Sequence, residues 1–224
     1  MNDEGIRLDQ QTGNQQGGSP VVRGGAETDR NARGLVRVLI TGERGAGKTS
    51  VCERAVEVLK KRGLRCGGVL TRKLVDTSGS IEGLQVIDLL TEPLEERLLA
   101  RTDGKTDGPW MGPYRFSCEG LRFGREAIER AAADVVFADE LGYLELRGQG
   151  FSNLFARILS SYSPPMVVVV RTALLEEVMK RIQEVGPAVL EVNPSNRDRL
   201  HEKVVQCVAL NESPFSRRRE GRDL

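Results

Sequence analysis

Apolar and polar positions divide the chain into three zones. Residues 1–34 are rich in Gly, Gln, Asn, Asp and Arg and show no apolar period, as in Gln-Thr-Gly-Asn-Gln-Gln-Gly-Gly-Ser-Pro at 11–20. Such a segment buries too little surface to offset its ordering entropy, so a disordered N-terminal extension is expected. Ser-Arg-Arg-Arg-Glu-Gly-Arg at 216–222 predicts a second, basic disordered tail over 214–224. Between the tails, short β-branched runs alternate with stretches of helical period. The pattern predicts strands at 35–41, 66–71, 84–89, 135–140, 166–170 and 188–192, and a short one at 114–116. It predicts helices at 48–62, 122–133, 150–160, 173–185 and 195–210.

Strands without polar interruption, such as Met-Val-Val-Val-Val at 166–170, are buried on both faces. Alternating with helices, they predict an α/β domain over 35–213: a mostly parallel central sheet with helices on both faces. One pair breaks the alternation. Only about a dozen residues without helical period join 66–71 to 84–89, too few for a crossover. Asp76-Thr77-Ser78-Gly79-Ser80 has turn chemistry, so a β-hairpin insertion is expected there. The stretch 91–118 reads as looser, with a loop at 103–109.

Composition narrows the class further. Of 224 residues, 39% are hydrophobic and 29% charged, with net charge +1, and the part between the tails is neutral. No nucleic-acid-binding surface is indicated. The basic tail is read as solvated, and any protein partner of the tails stays unassigned. Cys52, Cys66, Cys118 and Cys207 are scattered, with no ligand spacing to the single histidine, His201, expected on a helix surface. They read as reduced, mostly buried thiols of a cytoplasmic protein. No run approaches the ~18 apolar residues of a membrane span.

Chemistry enters at Gly42-Glu43-Arg44-Gly45-Ala46-Gly47-Lys48-Thr49, which matches G-x-x-x-x-G-K-[ST]. Glycines let successive N–H groups converge on a phosphate, the lysine reaches the β- and γ-phosphates, and the Thr49 hydroxyl ligates Mg²⁺. The predicted strand before the loop and helix after it are the required setting, because a helix N-terminus favours an anion. A metal-holding partner is expected at the carboxyl end of another strand, the edge where open α/β sheets bind ligands. Asp139 and Glu140 close the strand Val-Val-Phe-Ala-Asp-Glu. Asp139 is suited to hold Mg²⁺ with Thr49, and Glu140 to orient or deprotonate a water.

These residues, together with Gly-Gly-Val-Leu-Thr (67–71), Gly-Leu-Gln-Val-Ile-Asp-Leu (83–89) and Pro-Tyr-Arg-Phe (113–116), resemble the THEP1-type nucleoside-triphosphatases. Asp-Glu-Leu-Gly-Tyr-Leu-Glu-Leu (139–146) with Phe151, and Asn196-Arg197-Asp198, extend the resemblance over 35–210. It implies a RecA/AAA-related P-loop fold and slow Mg²⁺-dependent hydrolysis of ATP, GTP and other nucleoside triphosphates. It further implies that Gly42 to Thr49 bind phosphates, with Lys48 and Glu140 catalytic and Thr49 and Asp139 at the metal. The backbone of Val135, Val136, Phe137, Ala138, Asp139, Glu140, Leu141 and Gly142 is implied to run along the nucleotide. Two departures stand out. Thr71-Arg72-Lys73-Leu74-Val75 replaces the family's Thr-x-Glu-Val-Arg, and Tyr143 replaces a lysine. Arg72 and Lys73 remain candidates for substrate contact.

Other residues carry two readings each. Glu145 is a supporting carboxylate of the site or a solvated loop acid. Arg171 is a charge-stabilising arginine or the partner of a surface carboxylate. Asn196-Arg197 frame the base, or Ser195 caps the last helix. Trp110 stacks on a base or anchors its loop. Two other functions share the same loop. A small-molecule or nucleoside kinase needs an arginine-bearing lid, of which Arg-Leu-Leu-Ala-Arg at 97–101 is a faint version. A nucleotide-gated switch or assembly factor would turn over slowly until a partner binds.

Overall fold

The structure, a computed structural model, describes residues 36–130 and 132–209, without the side chain of Glu140. The expected extension 1–34 and tail 214–224 lie outside the described residues. A single nine-stranded sheet forms the centre. In chain order its strands are β1 (Arg37–Thr41), β2 (Cys66–Val75), β3 (Ile81–Asp88), β4 (Glu95–Arg101) and β5 (Trp110–Met111). Then come β6 (Tyr114–Phe116), β7 (Val135–Leu141), β8 (Met166–Val170) and β9 (Ala188–Glu191). The helices are α1 (Lys48–Lys61), α2 (Cys118–Glu129), α3 (Tyr143–Leu146), α4 (Leu154–Leu159), α5 (Leu175–Ile182) and α6 (Leu200–Ala209).

Spatial order is β5-β6-β4-β3-β2-β7-β8-β1-β9. The sheet is mixed, which corrects the expected mostly parallel one. From β2 through β7, β8 and β1 to β9 every pairing is parallel, as the buried apolar runs predict. From β2 through β3, β4 and β6 to β5 every pairing is antiparallel. The turn after β2 causes the reversal: Asp76 Oδ1 accepts the N–H groups of Ser78 and Ser80, closing the chain on itself within five residues. The two strands it joins belong to the main sheet, and β2 belongs to both halves. β4 occupies the stretch expected to be loose. Its first three residues, Glu95, Glu96 and Arg97, are exposed and only Leu99 and Ala100 are buried, so no apolar run marks it.

Alternation along the parallel strands builds two cores. Leu39, Val69, Val136, Ala138, Val168 and Val170 face one side, packed with residues of α2, α4 and α5. Val38, Ile40, Phe137, Val167 and Val169 face the other, under α1 and α6. Helices therefore cover both faces, as predicted. Their ends differ from the predicted ones where caps decide. α2 starts four residues early because the Ser117 hydroxyl accepts the Gly120 N–H at 3.2 Å. α6 starts late, at Leu200, because Asn193 organises a turn first: its side-chain oxygen accepts from Ser195 N, Ser195 Oγ and Asn196 N. Ser195 is thus not the helix cap.

Arg37 is nearly fully buried at the start of β1. Its guanidinium donates to the carbonyls of Ile158 (2.6 Å), Ser160 (2.9 Å) and Pro164 (3.2 Å), tying the end of α4 to the sheet. Burial first, and Arg157 second, lower its pKa to about 10.

Candidate functional site

β1 is five buried residues, and its last, Thr41, delivers the chain to the glycine loop. Gly42 has φ +140°, and a Cβ there would sit 2.4 Å from the Val192 carbonyl oxygen. Only glycine allows the loop to leave β1 this close to the end of β9. The loop closes with Ala46 N–H donating to Glu43 O at 3.1 Å, and α1 begins at Lys48. The first turn of α1 contains no acidic residue, and no side chain caps it. Its leading N–H groups and positive dipole end are therefore directed at the loop. Lys48 folds back over the loop, its Nζ donating to Gly42 O (2.7 Å) and Glu43 O (2.9 Å).

One strand, β8, stands between β1 and β7, and α1 crosses the sheet face to reach β7. Thr49, in the first turn of α1, donates its hydroxyl to Asp139 Oδ2 at 2.9 Å, joining residues ninety apart in sequence. Asp139 is 1% exposed. The same oxygen accepts from Thr71 N (3.2 Å) and Thr71 Oγ1 (3.0 Å) on β2. Three donors thus converge on one oxygen of a buried carboxylate. Cys52, one turn along α1, feels this charge: burial raises its thiol pKa, and Asp139 and then Glu53 raise it further.

Asp139 and Glu140 lie where β7 gains a residue on β8. Ala138 pairs with Val168, whereas Leu141 pairs with Val170, so β7 advances three residues for two. This bulge re-aims the strand end that carries both acids. After Gly142, α3 turns the chain back, and the Glu145 carboxylate accepts Gly142 N–H at 2.8 Å and Phe151 N–H at 3.0 Å. Glu145 is 6% exposed, so it is not the solvated loop acid. Its signal in the sequence was its place three residues after Gly142, the spacing of a capping carboxylate.

Not every implied site residue comes to the loop. Val135, Val136, Phe137 and Ala138 are buried in β7 and paired with β2, and the last three pair with β8 as well. Only the strand end, from Asp139 to Gly142, reaches the edge beside the glycine loop, and Leu141 there points into the core. The side chain of Glu140 lies outside the described residues. Arg197 does approach, with its Cδ 3.6 Å from where a Cβ on Gly47 would lie. Asn196 instead pins its own turn: its side chain accepts from Asn193 N and donates to Glu191 O, both at 2.9 Å. Arg72 pairs with Glu53 of α1 at 3.7 Å. Trp110 is half exposed, its ring lying on Gly104 of the 103–109 loop, and so serves as the loop's anchor.

On the far side of Asp139 a cavity of about 20 Å³ is lined by Thr71, Asp139, Gly142, Tyr143, Glu145 and Arg171, with apolar walls from β4, β6 and α2. Among the described residues no group of three or more His, Cys, Asp or Glu could hold a metal by itself. None of their helices is long and apolar enough to cross a membrane.

A glycine loop between β1 and α1, locked to an aspartate at the end of a nearby parallel strand, defines a P-loop protein of the α/β class. The comparisons with known proteins are specific. A family model described as NTPase matches residues 37–205. The nucleoside-triphosphatase THEP1 of Methanopyrus kandleri is 33% identical over 76% of this chain and 94% of its own. That of Methanosarcina acetivorans is 32% identical over 76% and 95%. Among solved structures, a human cancer-related nucleoside triphosphatase superposes with TM-score 0.64 at 23% identity, covering 80% of this chain and 100% of that one. THEP1 from Aquifex aeolicus gives 0.56 at 21%, over 77% and 99%. These two likenesses establish the fold. The chain belongs to the THEP1 nucleoside-triphosphatase family.

Proposed function

We propose that this protein hydrolyses nucleoside triphosphates, ATP and GTP among them, to the diphosphate and phosphate with Mg²⁺. The observation that carries the reading is the Thr49–Asp139 contact, which joins the phosphate loop to an acid at the binding edge of the sheet. In this reading Gly42 to Thr49 receive the phosphates, and Lys48 leaves the Gly42 and Glu43 carbonyls to neutralise the β/γ-oxygens. Their donor chemistry fits a small hard cation: a hydroxyl and a carboxylate already adjacent, with the remaining positions left to water and phosphate. Thr49 and Asp139 would hold Mg²⁺, which supplies charge stabilisation to the phosphoryl oxygens. Thr71 keeps Asp139 aimed. Glu140, following the family resemblance, orients or deprotonates the attacking water.

Phosphoryl transfer to an acceptor is the main rival, and one observation weighs against it. The faint arginine lid at 97–101 is strand β4, with Arg101 paired to Asp103 at 2.8 Å. Phosphate release from ATP, GTP, CTP and UTP, with and without Mg²⁺, tests the proposal, alongside a screen for phosphorylated acceptors. Mg²⁺-dependent release of phosphate to water supports it. A phosphorylated product in place of free phosphate refutes it.

A further inference from the structure

We infer that Glu145 is a positioning residue for the reaction, holding the backbone that carries Asp139 and Glu140 in its reactive arrangement. The inference rests on the hydrolytic reading above. Glu145 is a buried carboxylate in the return loop, and both of its oxygens accept backbone N–H groups. Oε2 takes the N–H of Gly142, the first residue after the last paired position of β7. Oε1 takes the N–H of Phe151, nine residues further on. The two bonds clamp the return loop across α3.

The clamp is anchored at one end and loaded at the other. Phe151 is 3% exposed, and its ring fills the space over Gly124 of α2, whose Cβ would come within 2.4 Å of it. Gly142 lies at the other end, directly after the bulge at Asp139–Glu140. A bulge has one residue without a ladder partner, so the neighbouring ladder does not by itself set how it sits. The Glu145–Gly142 bond supplies that constraint from outside the sheet, and through Phe151 ties it to the core.

Gly150 shows that the carboxylate is built in. It has φ +60°, and a Cβ there would lie 2.2 Å from Glu145 Oε1. The loop thus reserves glycine, which tolerates this backbone and leaves room, at the point where the carboxylate passes. A glutamine cannot replace the group. It has one acceptor oxygen, and its amide N–H₂ would face a backbone N–H, donor against donor. An aspartate keeps both oxygens but is one methylene short.

The test uses the full chain with Glu145→Gln and Glu145→Asp, measured for kcat, KM, thermal midpoint and the fraction of molecules that bind nucleotide. A misplacement of the acids lowers kcat per binding-competent site by between about 10- and 100-fold in Glu145→Gln, and less in Glu145→Asp, with KM unchanged. A purely structural role would lower the midpoint and the binding fraction and leave kcat per competent site intact. That result, with both variants within about twofold of the parent, overturns the inference, and so does a loss confined to KM. Should Glu145→Gln not fold, Glu145→Asp alone carries the same criterion. Lys48→Ala separates the two levels. If it hydrolyses at the parent rate, the placing of hydrolysis at the glycine loop fails; if it is inactive while Glu145→Gln is not impaired, only the positioning role fails.

Discussion

At the residue scale, the site depends on one buried carboxylate oxygen. Asp139 Oδ2 takes two bonds from Thr71 and one from Thr49, so the loop, β2 and β7 meet at a single atom. Thr71→Val removes the hydroxyl bond without touching the glycine loop. It is expected to lower kcat about tenfold with nucleotide affinity unchanged, read by steady-state kinetics and equilibrium binding. The cysteines give an independent check on burial. Cys52 and Cys66 are buried, Cys118 is exposed and Cys207 lies between. Burial, outweighing the nearby Lys60 charge, pushes the Cys66 thiol from 9.0 up to about 12. A raised thiol pKa means the unfolded chain releases its proton first as pH rises. The stability this group contributes is therefore complete below pH 9.0 and declines towards about 12. Alkylation of the native protein at pH 8 should modify Cys118 first, with Cys52 and Cys66 reacting only after denaturant is added. Rapid native labelling of Cys52 or Cys66, read by peptide mass, would contradict the core described for α1 and β2.

At the scale of elements, what was legible in the sequence follows from how each element is stabilised. β1, β7 and β8 are held by burial on both faces, which writes itself as uninterrupted apolar residues. The loop Gly42–Thr49 was legible because its chemistry depends on residue type at fixed spacing. β4 left no such trace, since its pairing with β3 and β6 relies on backbone bonds and only two buried side chains. α3 is four residues long and is held by the Glu145 carboxylate, so no helical period announces it. Within the implied nucleotide segment Val135–Gly142, Val135 to Ala138 are buried strand interior, because a strand is buried along most of its length to deliver its end to the edge. Arg37 was invisible in the sequence, because a single arginine opening an apolar strand carries no pattern. Arg37→Leu leaves the carbonyls of Ile158, Ser160 and Pro164 without their donor and should cost about 3 kcal/mol. Urea denaturation measures this; a loss within experimental error would mean that α4 is held by packing alone.

At the scale of the whole molecule, the mixed sheet separates two tasks. The parallel half holds the glycine loop, α1 and the carboxyl end of β7, which the Thr49–Asp139 bond brings together. The antiparallel half, with α2, walls the far side of Asp139 and leaves space of about 20 Å³. The cross-sheet link between α1 and β7 joins the glycine loop to the end of that parallel half. The most direct measurement is phosphate release from ATP with Mg²⁺ by the full chain, run beside Lys48→Ala and Asp139→Asn, both verified as folded. Sustained release by the parent and a fall of about 100-fold or more in each variant are expected. Release at the parental rate by either folded variant would contradict the placing of hydrolysis at the glycine loop and Asp139.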